Sequence, residues 1–209
     1  MIKNILFILY KFENLTIRRF IKNMVMKIEK GEMYSITLRR IFNVYHNVNI
    51  GMYTYGGCFD YGCVGPFVTI GRYCSFARNV HIFTRNHPVD TFSTHPFFFN
   101  SKLGYCEEDL AKYLPLQIGS DTWFGYGSIV IPRVQKIEHG AIVAAGAVVT
   151  ESVPPYAVVA GNPATIVKYR HSGAHISELL NIRWWERSID ENLVIFEKFR
   201  KKFEEKKAE

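Results

Sequence analysis

The chain has 209 residues, 48% of them hydrophobic and 15% aromatic, which is enough to bury one sizeable core and too apolar for a disordered chain. Its formal charge of +7 comes from lysines and arginines scattered among acids, without the basic stripe and interleaved aromatics of a nucleic-acid binder. Four cysteines, Cys58, Cys63, Cys74 and Cys106, form no CxxC pair and no framework, which excludes a disulfide scaffold and points to reduced thiols in a cytoplasmic protein.

Residues 1–45 are expected to form a helical lead-in. The apolar run Ile5–Tyr10 lies between Lys3 and Lys11, too short to span a bilayer and with no small-residue cleavage pattern after it. It reads as an amphipathic helix with Leu6, Leu9 and Tyr10 on one face. Arg18, Arg19, Lys22 and Lys27 follow, so peripheral membrane contact through this helix stays open.

Residues 46–165 carry a six-residue rhythm: an aliphatic residue, a small one, two variable positions, then another small or β-branched one. It runs through Ile50-Gly51 with Thr54, Val64-Gly65 with Val68, Ile70-Gly71 with Cys74, and Phe76-Ala77 with Val80. It resumes at Ile118-Gly119 with Thr122, Phe124-Gly125 with Ser128, and Val130-Ile131 with Val134. One extra residue near Gln135-Lys136 shifts the phase before Ile137, Val143 and Val149 continue it. A period of six is neither helical nor simply alternating, and repeats this short mark a solenoid whose units bury their apolar sides only by stacking. Each hexad is read as a short strand and a bend, with the opening residue inward and the small residue after it allowing a tight or left-handed corner. Three sides close a coil, and parallel strands of successive coils pair with each other. An ordinary β-sandwich with glycine-rich turns is the alternative.

Between Phe83 and Leu114 the hexads stop, leaving a loop at residues 84–115 too long for a turn and too aromatic for disorder. Beyond it, residues 166–209 are expected to form a helical tail, with Leu180, Trp184, Ile189, Leu193, Phe196 and Phe203 at near-helical spacing. The closing KFRKKFEEKKAE reads as a solvated, fraying helix face.

Several of these segments together resemble the hexapeptide-repeat acyltransferases, and within them the xenobiotic and CatB-related O-acetyltransferases. The likeness rests on the hexads, on NHPVD at Asn86 to Asp90 followed by STHPF at Ser93 to Phe97, on DTWFG at Asp121 to Gly125, on VVAGNPA at Val158 to Ala164, and on IRWWE at Ile182 to Glu186. It covers roughly Tyr34 to Leu193. The resemblance implies a mainly β fold, a left-handed parallel β-helix with an extruded loop and terminal α-helices. It implies a homotrimer with active sites at subunit boundaries, acetyl-CoA lying along the coils, and the acceptor held beneath the loop. The family's catalytic base is the histidine of the NH loop, here His87. The neighbours Pro88, Val89 and Asp90-Thr91 depart from the NHxMDG form of the antibiotic-modifying members, which favours a sugar hydroxyl, as in polysaccharide biosynthesis, over an antibiotic.

Acetyl transfer from a thioester to a hydroxyl needs a neutral base, and imidazole, with an unperturbed pKa of about 6.5, suits the task. Asn86 and Asp90 are candidates to orient the imidazole or contact the acceptor, or else cap the loop's turns. His95 either touches the acceptor or packs beside Pro96 and the following phenylalanines. For acetyl-CoA, Gly125, Ala144, Ala145 and Gly146 are read as letting the pantetheine arm approach the coil, with Trp123 as its wall or as a corner or subunit contact. Lys168 and Arg170 are candidates for the phosphates, or ordinary surface cations. No metal is expected: the zinc enzyme of carbonic-anhydrase type needs three convergent imidazoles, and His81 and His87 stand on neighbouring sides of a coil. N-acetylation of an amino sugar, drug acetylation and a non-catalytic β-helix remain as rival readings.

Overall fold

The computed structural model describes residues 2–205, the side chains at 198, 199 and 201–205 excepted. Part of the basic run at the C-terminus, including the Phe203 side chain, therefore lies outside the described residues. Two compact units are present, residues 1–170 and residues 171–209.

The lead-in is three helices: α1 (Ile2–Leu9), α2 (Leu15–Ile28) and α3 (Ile36–His46). Residues 34–45, the last part of the expected helical lead-in, are mostly helical, and both ends of α3 are capped. The Ser35 hydroxyl accepts from the Leu38 N–H, and Asn47 takes the left-handed conformation that ends the helix. Glu29 ties the three helices together: it receives hydrogen bonds from the Ser35 and Thr37 hydroxyls and the Thr37 N–H, and an ion pair from Lys3 at 2.9 Å.

The prism follows. Its first coil holds β1 (Val48–Ile50) and β2 (Tyr55–Gly56), and its second β3 (Val68–Ile70), β4 (Ser75–Phe76) and β5 (His81–Ile82). After the loop come β6 (Leu116–Ile118), β7 (Trp123–Phe124) and β8 (Ile129–Val130), then β9 (Lys136–Ile137), β10 (Ile142–Val143) and β11 (Val148–Val149). Three sheets result, ordered β1-β3-β6-β9, β2-β4-β7-β10 and β5-β8-β11, every pair parallel. Hexad openers stack in register: Ile50 on Ile70, Ile70 on Ile118, Ile118 on Ile137. The last of these steps is one residue longer than three hexads, the phase shift seen near Gln135.

Every hexad opener from Ile50 to Val149 is buried except Val64, which is partly so. The small residue after it has a different origin from the one expected. Added Cβ atoms at Gly51, Gly71, Gly119 and Gly125 would meet the backbone of the next coil at 2.4 to 2.6 Å, so stacking, not corner geometry, demands glycine there. The left-handed corner lies three residues after the opener. After Ile50, Ile70, Ile118 and Ile137 come Tyr53, Tyr73, Asp121 and Gly140, all at positive φ, and after Phe76, Phe124 and Val143 come Asn79, Gly127 and Gly146.

A fifth level contains β12 (Ala157–Gly161), parallel to β10, and β13 (Ala164–Tyr169) folds back antiparallel on it. Residues 166–169, assigned from the sequence to the helical tail, are thus strand: the turn at Asn162-Pro163 reverses the chain and lets an outer strand satisfy the exposed edge of β12. The second unit holds α4 (Gly173–Ile182) and α5 (Ile189–Glu205), joined by a short 3-10 turn in which Trp184 and Trp185 meet edge to face.

Candidate functional site

Leaving β5, the chain departs from the prism at Thr84 and returns at Leu114, whose N–H donates to the Thr84 carbonyl at 2.7 Å. The loop between them is folded by its own contacts. Two 3-10 turns at Pro96–Phe98 and Ser101–Leu103 are capped by the His95 and Asn100 side chains. Arg85 bonds Asp109 at 2.7 Å and lies 5.1 Å from the Tyr113 ring centroid, and Phe99 is buried.

Loop and prism together enclose a cavity of about 410 Å³, lined among others by Thr84, Arg85, Asn86, His87, Phe99 and Tyr113. The His87 ring packs against Phe99, centroids 4.8 Å apart, and its Nδ1 lies 2.8 Å from the Thr94 carbonyl oxygen. A carbonyl only accepts, so in the neutral ring Nδ1 carries the proton and Nε2 keeps its lone pair. His87 is exposed, as a group that must meet a substrate has to be.

Of the other sequence candidates, Asn86 lines the same cavity, whereas Asp90 and His95 do not. His95 accepts from the Phe97 N–H at 3.3 Å and meets its ring edge to face, so it caps the turn in this geometry. The donor candidates lie elsewhere on the prism, and none of them lines the His87 cavity. Trp123 and Lys168 share one outward-facing row across the second sheet, through the register Trp123, Ile142, Val158, Lys168, and both are exposed. Ala145 and Gly146 are exposed at the corner beyond that row, while Gly125 is buried because Ala145 of the next coil packs on it. Ala144 is half-buried beside them. Arg170 is engaged within the prism: it bonds the Asp121 carboxylate at 2.8 Å and the Gly140 carbonyl at 2.7 Å and lies over the Tyr156 ring.

Sequence reasoning missed Arg85 and Thr84. Thr84 places a buried hydroxyl oxygen on the cavity wall without a hydrogen-bond partner among the described residues. Both stand just before the NH pair, where the last hexad gives way to the loop, and that junction was the available signal. Among the described residues no group of three or more His, Cys, Asp and Glu is placed to hold a metal ion.

No family model matches the chain. It is 36% identical over 137 residues to "Probable macrolide acetyltransferase" of Lysinibacillus sphaericus, covering 63% of this chain and 76% of that protein. It is 35% identical over 130 residues to "Chloramphenicol acetyltransferase" of Klebsiella aerogenes, covering 61% of this chain and 60% of the relative. The chain thus spans about 60% of the length of that relative and of a second chloramphenicol acetyltransferase, from Agrobacterium fabrum. A solved maltose O-acetyltransferase from Clostridium difficile 630 is 20% identical over 82% of this chain and 86% of its own, with a TM-score of 0.45, too loose a likeness to carry weight. With its hexads, its NH loop and these relatives, the chain belongs to the xenobiotic and CatB-related family of hexapeptide-repeat acetyltransferases.

Proposed function

We propose that the protein transfers an acetyl group from acetyl-CoA to an acceptor hydroxyl, with His87 as general base, and that the acceptor is a sugar or surface-polysaccharide precursor. The observation that carries this is the hydrogen bond from His87 Nδ1 to the Thr94 carbonyl, which leaves Nε2 as a lone pair at the cavity. Nε2 takes the hydroxyl proton as the oxygen attacks the thioester carbonyl. The carbon–sulfur bond then breaks, and the imidazolium returns the proton to the departing thiolate. Positioned base catalysis supplies about 10²–10⁴-fold, on the order of 3–5 kcal/mol of barrier.

Donor binding is assigned to the outward row from Trp123 to Lys168 and the corner at Ala144, Ala145 and Gly146, where exposed backbone and little side-chain bulk suit a pantetheine arm. Lys168, without an ion-pair partner among the described residues, is the cation assigned to the CoA phosphates, Arg170 being tied to Asp121 and Gly140. This row and the His87 cavity share no residue in one chain, which supports a site closed between subunits of a trimer. The prism is read as winding left-handed, in keeping with the hexads and their positive-φ corners, and the protein as cytoplasmic, in keeping with its four free cysteines. No helix among the described residues is long and apolar enough to cross a membrane.

A drug acceptor is the second reading, favoured by the names of the chloramphenicol and macrolide acetyltransferase relatives. The test is CoA release from acetyl-CoA across glycans, nucleotide sugars, amino sugars and antibiotics, run beside His87→Ala. Acceptor-dependent release that the variant loses is expected. Full activity in a folded variant overturns the role of His87, and failure to bind acetyl-CoA overturns the reaction.

A further inference from the structure

Away from the His87 cavity, a second cavity of about 390 Å³ opens between the start of α2 and the turn after β2, lined among others by Tyr10, Arg18, Arg19, Lys22, Asp60 and Tyr61. Its composition is unusual for a structural crevice. Arg18 is only 8% exposed, yet among the described residues no carboxylate lies within 4 Å of it, and its side chain's single hydrogen bond there is from Nε to the Tyr10 carbonyl at 3.2 Å. The guanidinium lies against the Tyr10 and Tyr61 rings, 5.0 and 5.7 Å from their centroids, and both Nη atoms meet no acceptor.

Neither Nη atom is among the fully buried side-chain nitrogens, so both are reachable from the cavity that Arg18 lines, and among the described residues no protein acceptor holds them. The acids nearby are already used: Asp60 and Glu32 both bind Lys22, whose ammonium also donates to the Phe59 carbonyl. Arg19, exposed at the mouth, adds a second guanidinium without a carboxylate partner among the described residues. Two guanidinium groups line this one cavity, Arg18 braced by two aromatic rings, and they suit a tetrahedral oxyanion, which a guanidinium fork binds bidentately. The cavity exceeds a bare phosphate and has apolar walls at Leu15 and Met26, so it suits a phosphate with an organic body attached.

We propose that this cavity binds the phosphate of a phosphate monoester, with Arg18 as the buried anchor and Arg19 as the guard at the mouth. The monoester comes either from a soluble metabolite or from a lipid headgroup, since α1 and α2 expose Ile5, Ile8, Leu15 and Phe20, and Leu15 lines the cavity itself.

Calorimetry and thermal unfolding of the full chain decide this. Glycerol phosphate at matched ionic strength against chloride probes the soluble source. Sedimentation with phosphatidic acid vesicles against phosphatidylcholine vesicles probes the lipid source. A response to either phosphate probe is expected, weakened about tenfold in Arg19→Gln and abolished in Arg18→Gln. If Arg18→Gln does not fold, Arg18→Lys keeps the charge without the fork and weakens binding as Arg19→Gln does. Response to the soluble ester assigns a metabolite, and response to the vesicles alone assigns a lipid. No response to either probe, or undiminished binding in either position's variant, overturns the proposal.

Discussion

His87 and Thr94 are seven residues apart and joined at 2.8 Å, so a carbonyl of the loop itself engages Nδ1 of the imidazole and leaves Nε2 as the nitrogen with a lone pair. The proposed base is therefore held by backbone, and mutation reaches its orientation through the packing around it. Phe99, buried and in contact with the ring, is the side chain that supplies this packing. Phe99→Ala is expected to lower kcat at least tenfold with little change in the KM for acetyl-CoA, because a misaligned base loses transition-state contact while the donor row is untouched. Steady-state kinetics with the identified acceptor check it, and an unchanged kcat would remove Phe99 from the positioning of His87.

The stacking glycines and the left-handed corners of the prism should respond unequally to substitution. Gly119→Ala places a Cβ 2.5 Å from the His139 backbone nitrogen and is expected to cost roughly 1–3 kcal/mol. At the left-handed corner formed by Asn79 and Gly127, Asn79→Gly is expected to change stability by less than about 0.5 kcal/mol, relief of strain offsetting the added freedom of the unfolded chain. Urea denaturation of both variants compares them, and equal losses would refute the distinction.

Acid should loosen the helical layer in two stages. His46 accepts from or donates to the Tyr10 hydroxyl at 2.9 Å, and burial, with the charge of Arg18, holds its pKa down at about 4. The unfolded chain, with an imidazole near 6.5, then takes up a proton first, so stability present above pH 6.5 falls as pH drops toward 4, by on the order of 1–3 kcal/mol. Burial raises the Glu29 carboxyl, but hydrogen bonds from Ser35, Lys3 and Thr37 outweigh it and hold the group at about 2. Its contribution is complete above about pH 4.5 and is lost between there and 2. Denaturation at pH 7, 5 and 3 should show both losses, the upper one missing in His46→Gln and the lower one in Glu29→Gln.

Arg39 joins the helices to the first coil with four hydrogen bonds to carbonyls, those of Glu32, Ser35, Gly51 and Thr54. A lysine has one nitrogen and cannot span that set. Arg39→Lys is expected to destabilise the fold by roughly 2–4 kcal/mol, two buried carbonyls losing their donors, and a shift below 1 kcal/mol by denaturation would contradict the bridging role.

The stacked core was legible because burial has a period: Ile70, Phe76, Ile118, Phe124 and Val143 repeat where the interior repeats. The corners were harder to read. Tyr73, Asp121 and Asn79 hold positive φ without being glycine, since the coil above and below constrains them, and only the recurrence three residues after each opener betrays it. The loop was visible as a gap in the hexads, yet the salt bridge from Arg85 to Asp109 depends on two residues brought together across the loop, which no local pattern encodes. The same holds for α3, whose helix depends on caps at Ser35 and Asn47 on either side of an unremarkable sequence.

The closure of the loop at its neck has a consequence for how such proteins diversify. Val68 stacks on Leu116 as directly as Val48 stacks on Val68, so the prism is continuous whether or not thirty-odd residues leave between them. The segment from Arg85 to Tyr113 is in effect a cassette closed at its neck by the bond between Thr84 and Leu114, with Tyr113 packed on Phe67 of the prism. On the proposed reading of the loop as the acceptor site, exchanging that cassette is accordingly a more promising route to altered specificity than substitution within the coils.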